Sequence, residues 1–313
     1  MSLLAEREYY KPFNYPWAFE HYKTQQHMHW LPDEVNLADD LRDYREKLTP
    51  ESKKLISQIF RFFTQADVDV CCGYAKHYLP TFKQPEVRMM LSAFAAMEAV
   101  HQEAYSLLLE TLGFGDEEYQ KFFEHKEMLA KHEHLNNFGM KSEMDIAKTM
   151  AIYSAFTEGV QLFSSFAILL NFPRHNLMKG MGQIVTWSVR DETLHVEGMS
   201  QLFRTFIKEN PDLWTDDLKY EIYCAAERTV ELEDAFIDLC FENAEVPNLT
   251  AAEIKDYIRY IADRRLLGLG MKKIFGSEDN PLPWLDYMLT VSYTHLRAHE
   301  TGRNLVCRLL LEK

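Results

Sequence analysis

The chain has 313 residues, 47% of them hydrophobic and 13% aromatic, with 12 Gly and 11 Pro, so it can bury one sizeable core and leaves long stretches free to be helical. A formal net charge of -14 disfavours nucleic acid as a partner. The five cysteines (Cys71, Cys72, Cys224, Cys240 and Cys307) show no metal-binding spacing and argue against a disulfide framework, which points to a reducing cytoplasm.

In chain order, Met1 to Lys11 is charged and lacks the apolar centre of a secretion signal. Residues 1–48 are aromatic-rich and carry Pro12, Pro16 and Pro32, and they read as an irregular N-terminal arm. Residues 49–290 read as one helical domain. Thr49 is an N-cap with Pro50 at the first helical position, opening a helix that Pro80 closes. Pro85 starts the next helix and Gly113 ends it. A shorter polar helix runs from about Asp116 to Asn137. Ser142 with Asp145 resembles a capping box before the most apolar helix, which Pro173 stops. Within that helix, Ala151 to Phe172 is the nearest thing to a membrane span, but it carries Glu158, Gln161 and several Ser, so it reads as a buried core helix. After a further amphipathic helix, two more at about Thr215 to Asn243 and Thr250 to Leu267 complete the set. No stretch alternates as a strand, so the fold class is all-α.

Four of these helices carry charge where apolar side chains belong. Leu91, Phe94, Glu98, His101, Tyr105, Leu108 and Leu112 step by three and four along one face, as do Met181, Val185, Ser188, Glu192, His195, Met199, Leu202 and Phe206. A single Glu-x-x-His is weak, since roughly one arises by chance in a chain of this size. Two of them, each on a core-facing stripe with both side chains able to reach one ion, are not weak. Asp67 lies on the stripe Ile56, Phe60, Phe63, Asp67, Val70 and Tyr74, with Asp69 pointing away. Glu158 lies on the stripe Ala151, Ala155, Glu158, Leu162, Phe166 and Leu169. Each of these carboxylates precedes a Glu-x-x-His at nearly the same distance, so the four helices form two similar halves.

Burying an ionised carboxylate costs several kcal/mol unless it is paired or bound to a metal. Carboxylates and imidazoles suit iron and manganese, and six protein ligands around two ions leave positions open for oxygen. The pattern predicts a four-helix bundle core with additional helices, enclosing two metal ions per chain held by Asp67, Glu98, His101, Glu158, Glu192 and His195. Glu103 and Glu197 flank these positions but fall off the stripes, and His125, His132 and His134 lie in polar stretches; all read as surface residues.

The run Glu98-x-x-His101-x-x-x-Tyr105, with Arg190-Asp191-Glu192-x-x-His195 and Trp30-Leu31-Pro32-Asp33-Glu34-Val35, resembles the small, radical-generating subunit of class I ribonucleotide reductase, a member of the ferritin-like di-metal carboxylate superfamily. The similarity runs from about Trp30 to Thr290. It implies a ferritin-like fold and a centre that activates oxygen to generate a radical, stored at Tyr105 or on the metals, for ribonucleotide reduction by a large subunit. By the same resemblance Trp30 and Asp191 relay the oxidising equivalent from the metals through His101 to the protein surface. The partners it implies are a second copy of this chain, the catalytic large (alpha) subunit and, as a further candidate, an activating flavoprotein. A Tyr at 105 favours an iron pair or a manganese pair over a mixed manganese-iron pair. Leu162 and Ser188, which stand where larger side chains are common, keep a dimanganese centre open.

Three rival readings stand beside this one. An iron-storage bundle would share the ligands but need neither Tyr105 nor Trp30, and a di-iron oxidase or oxygenase should line a substrate channel with small residues. A purely structural bundle leaves four buried carboxylates without compensation. Beyond Thr290 the resemblance stops: residues 291–313, VSYTHLRAHETGRNLVCRLLLEK, read like translated cloning or adaptor sequence, an atypical and non-native tail in which Tyr293 is no substitute for the family's tail tyrosine. On that expectation the metal centre assembles while turnover with the large subunit fails.

Overall fold

The computed structural model describes residues 2–135, 139–242, 244 and 246–289; among these, helices make up all the regular structure except one isolated bridge between Val246 and Leu249. The tail 291–313, with Tyr293, lies outside the described residues. The arm, expected to be irregular, instead holds helices α1 (Pro16–His27) and α2 (Ala38–Glu46), with a short 3-10 turn at Pro32–Glu34 between them. Pro16 and Pro32 each occupy a first helical position, where a locked φ and an absent N–H start a helix rather than break one.

Thr49 caps helix α3 (Pro50–Gly73) by accepting the Ser52 N–H at 3.2 Å. Pro80 does not close it directly: α3 first widens into a π-wound turn, Tyr74–Tyr78, and then a last turn, Leu79–Thr81, in which Pro80 sits near the start. Helix α4 (Pro85–Leu112) ends on Gly113, whose φ of 91° only glycine adopts freely. The polar stretch predicted as one helix divides into Glu117–Gln120, a 3-10 turn Lys121–Glu124 and α5 (Lys126–Leu135), because no unbroken apolar face spans it. Ser142 and Asp145 do form a reciprocal capping box, opening α6 (Glu143–Thr149). The apolar helix then departs from expectation: Met150–Gln161 is π-wound over twelve residues before α winding resumes in α7 (Phe163–Arg174). Helices α8 (Lys179–Glu209), α9 (Asp216–Phe241) and α10 (Ala251–Gly268) follow.

Helix α3 packs on α4, and α8 packs on the π-wound segment and α7; contacts between α4 and α8 join the two halves into the bundle. Helices α9 and α10 cover the π-wound segment from outside, and α1 lies along α4. One continuous apolar core runs through all of them, and the stretch Glu143–Arg174, long and apolar enough for a bilayer, has its most apolar window wholly inside it. Cys71, Cys72, Cys224 and Cys240 are free thiols.

The start of α8 is fixed from the arm. Asp40 accepts the Gly180 and Met181 N–H groups at 2.9 and 2.8 Å, and Asp43 accepts that of Met178 at 3.1 Å, satisfying donors that the helix cannot satisfy itself. Gly180 is required for this approach, since a Cβ there would lie 2.7 Å from Asp40 Oδ2. Asp40→Ala should therefore cost about 1–3 kcal/mol in urea unfolding at neutral pH. An unchanged midpoint would show that the cap does not hold α8.

Candidate metal centre

The bundle brings six charged side chains to its centre. Asp67 comes from α3, Glu98 and His101 from α4, Glu158 from the π-wound segment, and Glu192 and His195 from α8; each is at most 1% exposed. Donor atoms of Glu98, His101 and Glu192 lie within 4.8 Å of one another, and so do those of Glu158, Glu192 and His195. Glu192 belongs to both groups. The two imidazoles face each other with centroids 6.4 Å apart, a separation that suits two adjacent ions sharing a carboxylate. Asp67 is buried against the same cluster, with Glu98 as its strongest charged neighbour, but its carboxylate lies outside both groups of three.

The donor atoms themselves indicate what the cluster is built to hold. Asp67 Oδ2, both Glu98 oxygens, Glu158 Oε1, Glu192 Oε2 and His195 Nδ1 are buried without a well-directed hydrogen bond. His195 Nδ1 and Glu98 Oε1 face each other at 2.8 Å, but Asp67 Oδ2 and Glu158 Oε1 have no such partner, and a set of carboxylates and imidazoles fits hard or borderline cations such as iron or manganese. Burial and the neighbouring Glu98 push Asp67 well above the usual carboxylate range, and burial and Glu192 do the same to Glu158. Burial works against the charged form of His195, yet Glu192 and Glu98 lift it to about 10; His101 is likewise raised, by Asp191, Glu192 and Glu98. Glu98, despite burial, is drawn down to about 2 by the two imidazoles. These shifts all favour the protonated forms of His101, His195, Asp67 and Glu158 while no cation is bound. Cations entering the cluster displace these protons, so metal affinity should rise with pH, and adding Mn(II) or Fe(II) to protein in dilute buffer should acidify the solution. Metal uptake without proton release would contradict this charge arrangement.

Both imidazoles point Nδ1 inward and Nε2 outward. His101 Nε2 donates to Asp191 Oδ2 at 3.2 Å, and Trp30 Nε1 donates to the same oxygen at 2.7 Å. Asp191 is fully buried, and although burial opposes its charge, His101 and Arg190 hold it as a carboxylate. The Trp30 ring stacks on His101 with centroids 5.9 Å apart. Gln25 of α1 completes this layer. Its Nε2 donates to Asp191 Oδ1 at 3.2 Å, which leaves Oε1 to accept the His195 Nε2–H at 3.1 Å, so one amide fixes the ring of His195 and the position of Asp191 together.

Tyr105, one turn beyond His101, is buried between Phe63 and Phe60, with ring centroids at 4.7 and 6.1 Å. Burial and then Asp67 raise its phenol well above the ordinary value, and the Ser188 hydroxyl lies against it. A second phenol, Tyr74, donates to Glu158 Oε2 at 3.1 Å. Sequence reasoning singled out neither Gln25 nor the role of Tyr74. Gln25 sits in an arm with no apolar stripe to mark an inward face, whereas Tyr74 lies on the Asp67 stripe and looked like ordinary core. Glu103 and Glu197 are exposed as expected, while His132 is engaged with Asp69, Nδ1 to Oδ2 at 2.5 Å.

The chain matches the family described as ribonucleotide reductase, small chain, over residues 7–281. It is 44% identical to the probable ribonucleoside-diphosphate reductase small subunit of Invertebrate iridescent virus 3, over 92% of this chain and 81% of that protein. It is 30% identical to the ribonucleoside-diphosphate reductase subunit beta of Chlamydia pneumoniae, over 94% of this chain and 90% of that one. The ribonucleotide reductase R2 subunit of Clostridium botulinum shares the fold, with a TM-score of 0.85 at 21% identity over 92% of this chain and 94% of its own. With a helical bundle that gathers two Glu-x-x-His pairs around a buried carboxylate cluster, and with these relatives spanning nearly its whole length, the chain belongs to the small-chain family of ribonucleotide reductases.

Proposed function

We propose that Asp67, Glu98, His101, Glu158, Glu192 and His195 hold two iron or two manganese ions, that Tyr105 stores the oxidising equivalent, and that Asp191 and Trp30 carry it outward. The chain is the small subunit of a ribonucleoside-diphosphate reductase, an oxidoreductase that works with a large subunit and pairs as a homodimer. The observation that supports the ligand assignment best is the position of Glu192, whose carboxylate belongs to both groups of donors. Asp67, buried against the same cluster with Glu98 as its strongest charged neighbour, would complete the set.

When bound, a pair of redox-active ions supplies one-electron oxidising power drawn from dioxygen. The protein's own part is to hold, shield and conduct. Tyr105 would pass an electron to the ion pair and its phenolic proton toward Asp67, its strongest charged neighbour, and the apolar rings of Phe60 and Phe63 keep reductants and water from the resulting oxyl. Asp191 holds the inner shell by accepting the His101 Nε2–H. It also accepts the Trp30 Nε1–H, so the indole has a carboxylate ready for its proton when it passes an electron. His101 and then Arg190, which lies 3.6 Å from Asp191 Oδ1, favour the ionised form of that carboxylate.

Loading the protein separately with Fe(II) and Mn(II), exposing it to oxygen and recording electron paramagnetic resonance spectra tests this reading. A tyrosyl signal is expected with at least one metal; because turnover is expected to fail with residues 291–313 as they stand, nucleotide reduction, in the parent and in every variant, is assayed with the large subunit on a chain carrying the family's tyrosine-bearing tail in their place. Many ions per chain with no radical would favour an iron-storage bundle instead.

A further inference from the structure

Helix α5 contributes a lysine for which neither metal binding nor the relay has a use. Lys131 is completely buried, with Nζ 2.5 Å from Glu233 Oε1 of α9 and 3.6 and 4.3 Å from the ring centroids of Phe62 and Phe236. Ser164 donates to the other Glu233 oxygen at 2.5 Å. A buried pair of this kind is weak evidence for stability, because desolvating both charges offsets their attraction, so its retention needs another cause. The remaining contact of the ammonium provides one: Nζ donates to the backbone carbonyl of Gln161 at 3.0 Å.

Gln161 is the last residue of the π-wound segment that carries Glu158. Where i→i+5 bonding gives way to i→i+4 bonding, one carbonyl is left without an N–H partner. The α register resumes with the Phe166 N–H on the Leu162 carbonyl at 3.0 Å, so the Gln161 carbonyl immediately before it lies at this junction. Lys131 fills that position. A second cation acts two residues nearer Glu158: Arg265 of α10 donates Nε to the Gly159 carbonyl at 2.9 Å. The close approach depends on glycine, since a Cβ at 159 would stand 2.9 Å from Arg265 Nε. The carbonyls one and three residues past Glu158 are thus each held by a cation delivered from a separate helix.

We propose that Lys131 and Arg265 are positioning residues that hold the π-wound turn and thereby aim Glu158 at the metal centre. The inference rests on reading Glu158 as a ligand. Without the two cations the segment relaxes toward α winding, which turns the residues ahead of the junction about the helix axis and carries Glu158 away from Glu192 and His195.

Two independent variants test this. Lys131→Met with Glu233→Gln removes both buried charges while keeping an acceptor for Ser164, and Arg265→Leu acts on a side chain that reaches partly to solvent. Each is titrated with Mn(II) alone, following free Mn(II) by electron paramagnetic resonance, beside the parent protein. The parent binds two ions. In each variant one ion, that of Glu98, His101 and Glu192, is expected to keep its affinity, while the one facing Glu158 weakens about tenfold or more. The exchange-coupled spectrum of the ion pair gives way to that of a single ion. A merely structural role would weaken both ions together or neither, and either result in the Arg265→Leu protein overturns the proposal even if the double variant fails to fold. A parent that binds fewer than two ions overturns the metal-centre reading itself, and this inference with it.

Discussion

Glu192→Ala should abolish binding of both ions and reduce nucleotide reduction to background. Glu98 also lies against both imidazoles, but Glu192 alone stands in both groups of three donors, so its loss removes a shared carboxylate and a negative charge from each ion at once. Loss of residues that only touch ligands reaches about 100-fold in metal affinity, and loss of a shared ligand should exceed that. The effect also appears in stability. A ligand present at about 100 times its Kd stabilises the folded state by about 2.7 kcal/mol, so the parent should melt at a higher temperature with Mn(II) present, and the variant should not. Retention of two tightly bound ions by Glu192→Ala would remove the central carboxylate from the account.

Tyr105→Phe and Trp30→Phe separate storage from transfer. Both side chains are buried; Phe fills the Tyr105 site, and in Trp30→Phe the Asp191 carboxylate loses one donor but keeps those of His101 and Gln25, so both variants should bind two ions as the parent does. In Tyr105→Phe the tyrosyl signal disappears, and nucleotide reduction with the large subunit should fall by at least about a thousandfold, equivalent to about 4 kcal/mol on the barrier. In Trp30→Phe the signal remains, because the phenol and its Phe60 and Phe63 walls are untouched, while reduction falls comparably. The indole N–H bonded to Asp191 has been removed from the path. Full activity in Tyr105→Phe would place the stored oxidant on the metals. Full activity in Trp30→Phe would mean that the oxidising equivalent leaves by another route.

Much of this architecture is legible in the chain because it rests on strong local rules. The caps at Thr49 and Ser142, the glycine stop at Gly113 and the apolar stripes through Glu98, His101, Glu192 and His195 follow from helix chemistry that acts within a few residues. The gathering of Asp67, Glu158 and the two Glu-x-x-His pairs was legible for a related reason: a charge on an apolar stripe has no cheap alternative to a shared partner. What escaped was set at a distance. Pro16 and Pro32 looked like breaks in an irregular arm because the packing of α1 along α4, which makes a short helix worthwhile, has no signature in the arm itself. Gln25 became visible only when that packing brought its amide between His195 and Asp191. The π winding of Met150–Gln161 was hidden because its apolar spacing also satisfies an α-helix. The cations that support it lie on α5 and α10, far away in the sequence.

Anomalous diffraction from crystals of the manganese- or iron-loaded protein, collected on both sides of the metal absorption edge, tests the central claim most directly. Two peaks per chain are predicted between α3, α4, the π-wound segment and α8, with the Glu192 carboxylate touching both and Asp67 drawn onto the one beside Glu98. A single peak, or metal bound only at the acidic surface with these carboxylates unmoved, would contradict it.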